Sequence, residues 1–155
     1  MLYLDASALV KRYSSEKGSN AVAVRFDRAE KIFTSRLSFA EVHSSLGRKF
    51  RAGELSSEDL TRVREEFESD WLFSLSVLDL DVGTMSSISQ LVEQYDLKAG
   101  DAIHLSAAFW LRDAIRLGRF RSGAEESIEF GVADKQLARI ARKCGLHVFD
   151  PEAQN

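Results

Sequence analysis

Cysteine and long apolar runs are the two features that this sequence most clearly lacks. One cysteine, Cys144, occurs among 155 residues, which excludes an internal disulfide, and we interpret it as a small core residue in a reducing compartment. No stretch approaches the roughly 18 consecutive apolar residues that a membrane-spanning helix needs. The first residues also lack the basic region and long apolar run of a signal peptide. We therefore expect a cytoplasmic protein that makes no contact with a membrane.

Several motifs of well-known sites are missing as well. The sequence has no glycine-rich phosphate loop of the Walker type and no G-x-S-x-G nucleophile elbow. Nor do its histidines cluster with cysteine as in a zinc site. The formal charge of −3, from 24 acidic and 21 basic residues, neither indicates nor excludes nucleic-acid binding. The three histidines, which are scattered along the chain, are His43, His104 and His147.

The composition is that of one ordinary globular domain. Apolar residues make up 45% and charged residues 29% of the chain, and this length is sufficient to bury a sizeable core. No repeat, low-complexity segment or linker separates two parts of the chain. We predict a single domain over residues 1–150, followed by a polar tail at 151–155.

Short apolar runs alternate with helical patterns from the first residues to the last. This alternation predicts an α/β fold in which helices cover both faces of a mainly parallel sheet of about five strands. An almost wholly apolar helix is expected at residues 102–115, and such a helix is usually buried. Two long helices before the third strand are expected to form a protruding hairpin. The predicted strands are residues 2–4, 31–34, 75–80, 128–133 and 146–149.

Four acidic residues recur at corresponding places in this alternating pattern. Asp5 and Asp134 follow predicted strands, whereas Glu41 and Asp101 stand near the starts of helices that follow strands. Because such positions lie at the carboxyl edge of a parallel sheet, all four could face one crevice. Asp5, Glu41 and Asp101 also have purely structural interpretations, since aspartate caps helices and glutamate is favoured in a first helical turn.

Four carboxylates in one crevice would repel one another, and a divalent cation would relieve that repulsion. Mg²⁺ or Mn²⁺ suits a site whose ligands are all oxygen atoms. Such a site can activate water and neutralise a leaving oxygen, so hydrolysis of a phosphodiester is the natural reaction.

Two further features leave their roles open at this stage. His104 lies on the buried helix, and we interpret it as a packed, hydrogen-bonded residue and not as a catalyst. The irregular stretch at residues 112–127, which we interpret as the end of that helix and an exposed loop, is either a phosphate-contacting surface or an ordinary solvated loop. Its arginines are Arg112, Arg116, Arg119 and Arg121.

The four acidic residues stand in segments that resemble the motifs of PIN domains. These segments are YLDASALV at residues 3–10, SFAEV at 38–42, GDAIHLSAA at 100–108 and VADKQL at 132–137. They occur in the family's order over nearly the whole chain, and they are most similar to the VapC-like toxins of toxin–antitoxin pairs. The resemblance implies a three-layer α/β/α fold and a ribonuclease that depends on Mg²⁺ or Mn²⁺.

The resemblance also implies a role for each site residue. Asp5 and Asp101 would be the firmest metal ligands, and Asp134 would complete the metal site. Glu41 would orient or deprotonate the attacking water, and Ser7 would add a hydroxyl near the metal. Homodimers and a cognate antitoxin, with a segment that occupies the active-site groove, are implied in the same way.

Other functions are compatible with an acidic α/β chain. A non-catalytic PIN-like module that binds RNA or protein is the main alternative to the metal-dependent endoribonuclease toxin. A receiver-like domain usually has a pair of acids directly after its first strand, and a haloacid-dehalogenase-type phosphatase has a second aspartate where this chain has Ser7. Both of these are weaker interpretations.

Overall fold

A five-stranded parallel sheet forms the centre of the computed structural model, which describes residues 1–120 and 127–153. The strand order is β3-β2-β1-β4-β5, and every neighbouring pair is parallel. This confirms the predicted sheet, although the third, fourth and fifth strands are shorter than the sequence pattern suggested. The strands are β1 Leu2–Leu4, β2 Ile32–Ser35, β3 Leu75–Leu78, β4 Glu129–Gly131 and β5 His147–Phe149.

The central strand β1 divides the interior into two cores. Successive side chains of a strand point to opposite faces of a sheet. Accordingly, Tyr3 packs into one core, whereas Leu2 and Leu4 pack into the other. All three side chains are buried, as a continuous apolar run in the middle of a parallel sheet predicts.

Helices cover both faces of the sheet, which makes the fold a three-layer α/β/α arrangement. The core around Leu2 and Leu4 contains apolar residues from the helices of the first half of the chain. These are α1 Ala6–Leu9, a 3-10 helix Val10–Tyr13, α2 Ser19–Arg28, α3 Leu37–Arg51 and α4 Ser57–Phe73. The core around Tyr3 contains residues from α5 Ile88–Gln94, α6 Ala99–Arg116 and α7 Lys135–Lys143.

The predicted hairpin is formed by α3 and α4, whose buried residues share one core. Ser56 caps α4, since its hydroxyl accepts a hydrogen bond from the backbone N–H of Asp59 at 3.0 Å. Phe67 of α4 is fully buried and contacts the rings of Phe39 and Trp71. Phe39 itself remains 39% exposed, so the end of α3 nearest the sheet presents an aromatic side chain to solvent.

The buried helix α6 begins earlier than the sequence pattern suggested. Its N-cap is Lys98, and no side chain caps it. Asp101 lies in the first turn, so the suggestion that it serves as a helix cap is wrong. The first two arginines of the arginine-rich stretch belong to α6, which extends to Arg116. Arg121 lies outside the described residues.

Contacts of the fold continue past residue 150. Pro151 is buried, and a carboxylate oxygen of Glu152 accepts a 2.7 Å hydrogen bond from the ammonium group of Lys11. Lys11 is itself 96% buried, and the backbone carbonyl of Lys17 also accepts from it. The single-domain boundary at residue 150 remains a prediction. Within the described residues, no helix has the length and apolar character required to cross a membrane.

Candidate active site

Asp5 stands where the central strand ends. Its backbone N–H donates to the carbonyl of Gly131, which ties it to the end of β4. Its side chain caps α1 by accepting a 2.9 Å hydrogen bond from the backbone N–H of Ala8. The capping role considered for Asp5 is therefore real, but the carboxylate is 96% buried at the sheet edge.

The environment of Asp5 disfavours its charge. Burial raises the pKa of its carboxyl group from 3.8 to about 6, against the opposing effects of His104 and of the bonds from Ala8 and Ser7. The carboxylate of Glu41 raises this pKa further. A positive charge beside Asp5 would offset the cost of keeping it ionised.

Ser7 connects Asp5 with the loop that carries Asp134. Its Oγ lies 2.8 and 2.9 Å from the two carboxylate oxygens of Asp5, to which its single proton can be donated. The same Oγ accepts hydrogen bonds from the backbone N–H groups of Ala133, at 2.9 Å, and of Asp134, at 3.3 Å. One hydroxyl thus fixes the spacing between the ends of β1 and β4.

Replacing Ser7 with alanine should lower the free energy of unfolding by about 1–3 kcal/mol. The substitution leaves the Ala133 N–H and one Asp5 oxygen without their shared partner, and a half-buried polar group left unsatisfied costs about that much. Urea denaturation of the two proteins measures the difference. Ser44, an exposed serine of α3, provides the matched control, and an equal effect of Ser44→Ala would contradict the bridging role.

Asp134 and Asp101 are close enough at this edge for the charge of Asp134 to act on Asp101. Asp134 caps α7 by accepting a 2.8 Å hydrogen bond from the backbone N–H of Leu137, and it is exposed. Burial and then the Asp134 carboxylate raise the pKa of Asp101 above its ordinary value, while Lys98 and His104 oppose this shift. The Glu41 carboxylate also acts on Asp101 in the raising direction.

Glu41 reaches the site from α3 and is held by α6. Its Oε2 lies 2.8 Å from Nε2 of His104. Its Oε1 faces Gly100, where a β-carbon would stand only 2.8 Å away. On the other side of the imidazole, Nδ1 lies 3.0 Å from the hydroxyl of Tyr3. The expectation that His104 is packed and hydrogen-bonded is confirmed, since it is 2% exposed and both ring nitrogens have partners.

The four predicted acids therefore come to one edge of the sheet from four different elements. Within residues 1–120 and 127–153, however, no three or more His, Cys, Asp or Glu side chains are grouped so that they could hold a metal ion. The donor chemistry nevertheless fits a hard cation, because carboxylate oxygens are what Mg²⁺ and Mn²⁺ prefer. Burial raises the pKa values of Asp5 and Asp101, and the neighbouring carboxylates of Glu41 and Asp134 add to these shifts. Mg²⁺ commonly uses one or two carboxylates and several waters, which this arrangement can supply.

Sequence reasoning missed three parts of the site. Tyr3 was predicted only as part of the first strand, and no role was predicted for Gly100. No pattern along the chain predicts that Tyr3 contacts His104, 101 positions away, or that Gly100 lies against Glu41. The third feature, the basic face of α7, could have been found from its spacing. Its exposed cations are Lys135, Arg139, Arg142 and Lys143.

One protein family accounts for this fold and for the order of the acidic segments. A sequence model described as PIN domain matches residues 2–143, which is nearly the whole chain. The chain belongs to the PIN domain family. Two curated relatives from Mycobacterium tuberculosis, named Ribonuclease VapC45 (strain CDC 1551 / Oshkosh) and Ribonuclease VapC49 (strain ATCC 25618 / H37Rv), are each 28% identical to it over 113 residues. Those alignments cover 73% of this PIN domain chain and 78% of each relative.

Two solved structures have the same fold as this chain. The crystal structure of FitAcB from Neisseria gonorrhoeae superposes with a TM-score of 0.64 at 16% identity, covering 99% of this chain and 100% of that one. VapBC2 from Rickettsia felis, solved bound to a DNA fragment from their promoter, gives a TM-score of 0.59 at 13% identity, covering 97% and 98% of the two chains. At such low identity the likeness concerns the PIN fold alone.

Proposed function

We propose that this PIN domain is a metal-dependent endoribonuclease that hydrolyses RNA phosphodiester bonds and acts as the toxin of a toxin–antitoxin pair. The observation that carries the proposal is the meeting of Asp5, Glu41, Asp101 and Asp134 at the carboxyl edge of the sheet. The names of the two mycobacterial relatives support the ribonuclease activity. The chemistry of four carboxylates supports a metal-assisted hydrolysis.

Asp5, Asp101 and Asp134 would hold Mg²⁺ or Mn²⁺. When bound, the cation supplies a water of lowered pKa and neutralises the charge of the leaving oxygen. Asp5 contributes a carboxylate whose position is fixed by Ala8 and Ser7. Asp134 is exposed, so its side chain can contact the cation directly or through water.

Glu41 would orient or deprotonate the attacking water. It suits this task because one of its carboxylate oxygens is fixed by His104 while its side chain remains 35% exposed. A general base must lie within hydrogen-bonding distance of the water whose proton it removes, so it must be accessible to solvent. Among the acids of the site, Asp5 is too buried for that role and Asp101 is reserved for the cation.

Basic surfaces beside the acids suit a phosphodiester substrate. A groove of about 500 Å³ opens next to Ser7 and Asp134, and its lining contains Arg48 and Lys49 of α3 together with three glutamates, Glu16, Glu54 and Glu152. The helix α7 begins beside Asp134 and has no acidic residue; of its exposed cations, Lys135 and Arg139 lie nearest to that end. Cationic side chains bind the sugar–phosphate backbone without regard to sequence, so these surfaces support an RNA strand passing over the site.

Neutralising two cations on α7 should weaken substrate binding and leave the chemical step intact. In the variant Lys135→Gln/Arg139→Gln we expect a raised KM, an unchanged kcat, and a slope of log KM against log salt that is smaller by about 1.4, because each phosphate contact on a single strand contributes about 0.7. Steady-state cleavage of a labelled RNA at several salt concentrations measures this. Arg64→Gln, an exposed cation on α4, is the control, and an equal change there would refute a specific role for α7.

Two protein partners belong to the same proposal. We expect a cognate antitoxin that occupies the active-site groove, and the fold shared with VapBC2 supports such a partner. We also expect a homodimer. Exposed apolar side chains between β3 and α5, namely Leu80, Val82 and Met85, offer a surface that a second copy could cover. We also expect the protein to be cytoplasmic, because it has a single cysteine and its proposed substrate is RNA.

The proposed function is tested by incubating the purified chain, free of antitoxin, with total cellular RNA. Parallel reactions contain Mg²⁺, Mn²⁺ or EDTA, and the Asp5→Asn variant serves as the comparison. Discrete fragments that require both the metal and Asp5 are expected, and their ends identify the cleaved bonds. Intact RNA in every reaction, together with no Mn²⁺ binding by calorimetry, would instead favour a non-catalytic module that binds RNA or protein.

A further inference from the structure

A chain of hydrogen bonds runs from the core of the protein to the candidate general base. The hydroxyl of Tyr3 lies 3.0 Å from Nδ1 of His104, and Nε2 of His104 lies 2.8 Å from Oε2 of Glu41. Tyr3 is completely buried and His104 is 2% exposed, whereas the Glu41 side chain is 35% exposed. The three groups therefore form a line that begins in the core and ends at solvent.

We propose that Tyr3 and His104 form a relay that positions the carboxylate of Glu41 for the reaction, with His104 as a positioning residue. The inference rests on the proposed nuclease function and assigns a role to two residues outside the acidic set. His104 would not touch substrate. It would act only through Glu41.

For a neutral imidazole, the donors and acceptors present set the direction of these hydrogen bonds. A carboxylate only accepts hydrogen bonds, so the contact with Glu41 requires a proton on Nε2 of His104. In a neutral imidazole, Nδ1 then carries the lone pair and accepts from the hydroxyl of Tyr3. This arrangement satisfies both ring nitrogens and the phenol, as expected for polar groups in a core. The other neutral tautomer would set a lone pair of Nε2 against the carboxylate.

Gly100 leaves space for the other oxygen of the same carboxylate, because it has no side chain. A β-carbon at position 100 would stand 2.8 Å from Oε1 of Glu41, which is closer than real contacts allow. Gly100 and His104 both belong to α6, and so does Asp101. The Glu41 carboxylate is thus held by the helix that carries a proposed metal ligand, which keeps the base and the ligand in register.

The relay also joins the two helical layers. Glu41 belongs to α3, which packs on one face of the sheet, whereas His104 belongs to α6, which packs on the other. The two side chains meet at the carboxyl edge of the sheet, beyond the ends of the strands. Without the contact between Glu41 and His104, the position of the base relative to Asp101 would depend on the flexible glutamate side chain alone.

Two substitutions of His104 separate a positioning role from a packing role. In His104→Gln, the longer amide can still donate an N–H to Glu41, so we expect kcat within about threefold of wild type. In His104→Asn, the amide is too short to reach, and we expect kcat to fall about 10²-fold with KM unchanged, as for a displaced catalytic group. Tyr3→Phe keeps the ring in the core and should reduce kcat about fivefold. Thermal denaturation checks that each variant is folded.

A double-mutant cycle tests whether His104 acts through Glu41. In the Glu41→Gln background, His104→Asn should cause little further loss of kcat, because the group that it positions is already gone. A full additional 10²-fold loss in that background would overturn the relay. Equal activities of His104→Asn and wild type would overturn it as well.

The tautomer of His104 provides a readout that does not depend on activity. In a long-range ¹H–¹⁵N spectrum of the metal-free chain, His104 should have a protonated Nε2 and an unprotonated Nδ1 whose resonance moves in Tyr3→Phe. The opposite tautomer would overturn the relay even if the enzyme is active. If the proposed nuclease function is wrong, wild type itself will leave RNA uncleaved, and this result does not depend on the tautomer of His104. The two failures can therefore be distinguished.

Discussion

Replacing Asp101 with asparagine should reduce RNA cleavage by about 10²–10³-fold while leaving the fold at least as stable as wild type. The loss is large because a metal-held charge contributes several kcal/mol to the transition state, and each 1.36 kcal/mol is a factor of ten in rate. The stability should not fall, because the ionised form of Asp101 is disfavoured in the native state. Burial and Asp134 raise its pKa, so at neutral pH removing this charge removes repulsion.

The experiment compares Asp101→Asn with Asp113→Asn, a matched change on the same helix. Asp113 is exposed and pairs with Arg112 at 2.9 Å, away from the acidic edge. Single-turnover cleavage measures the chemical step, and urea denaturation measures the free energy of unfolding. Cleavage by Asp101→Asn within tenfold of wild type would contradict the proposed mechanism, and a marked loss of stability would contradict the repulsion inferred for this residue.

The fold could be predicted from the sequence because its signals are local. The run of Leu2 to Leu4 is short, apolar and followed at once by an acid, which is typical of a buried parallel strand. The alternation of such runs with helical patterns then requires parallel strands with helices on both faces. Element ends were less predictable. The helix α6 begins at Ala99 and not at Ala102. This boundary was hard to predict because the residue before it, Lys98, does not cap the helix with its side chain.

The site could be predicted only in part, for a related physical reason. Positions after strands converge on one edge whatever the details of the fold, so the four acids could be chosen from topology alone. The contact between Glu41 and His104 joins residues 63 positions apart, and Tyr3 is 101 positions from His104. Such contacts depend on how two helical layers pack on a sheet, which the pattern of apolar residues does not specify. The roles of the four acids remain predictions until the variants are measured.

The contribution of Asp5 to the stability of the metal-free chain should become less favourable as the pH rises from about 4 to about 7. The pKa of Asp5 is raised from 3.8 to about 6 by burial. Between these two values the native state therefore binds more protons than the unfolded state, and linkage makes the free energy of unfolding decrease with pH. The shift corresponds to about 3 kcal/mol, which is a large part of the stability of a typical domain.

Urea denaturation in EDTA at several pH values, on wild type and Asp5→Asn, isolates this contribution. Asparagine retains an oxygen that can accept from the Ala8 N–H but does not titrate, so the pH dependence should flatten in the variant. The other titrating groups, including Asp101, are common to both proteins and cancel in the difference. Parallel curves for the two proteins would contradict the inferred burial cost at Asp5.

Adding Mn²⁺ should reverse the trend in wild type. A ligand that binds only the native state stabilises it by an amount that depends on its concentration relative to its dissociation constant. Since the cation competes with protons for Asp5, its stabilising effect should be small near pH 5 and large near pH 7. Asp5→Asn should lose most of this gain, whereas Asp113→Asn should keep it. A gain that is independent of pH, or equal in Asp5→Asn and wild type, would place the cation away from Asp5 and would require a different explanation for the raised pKa values at the acidic edge.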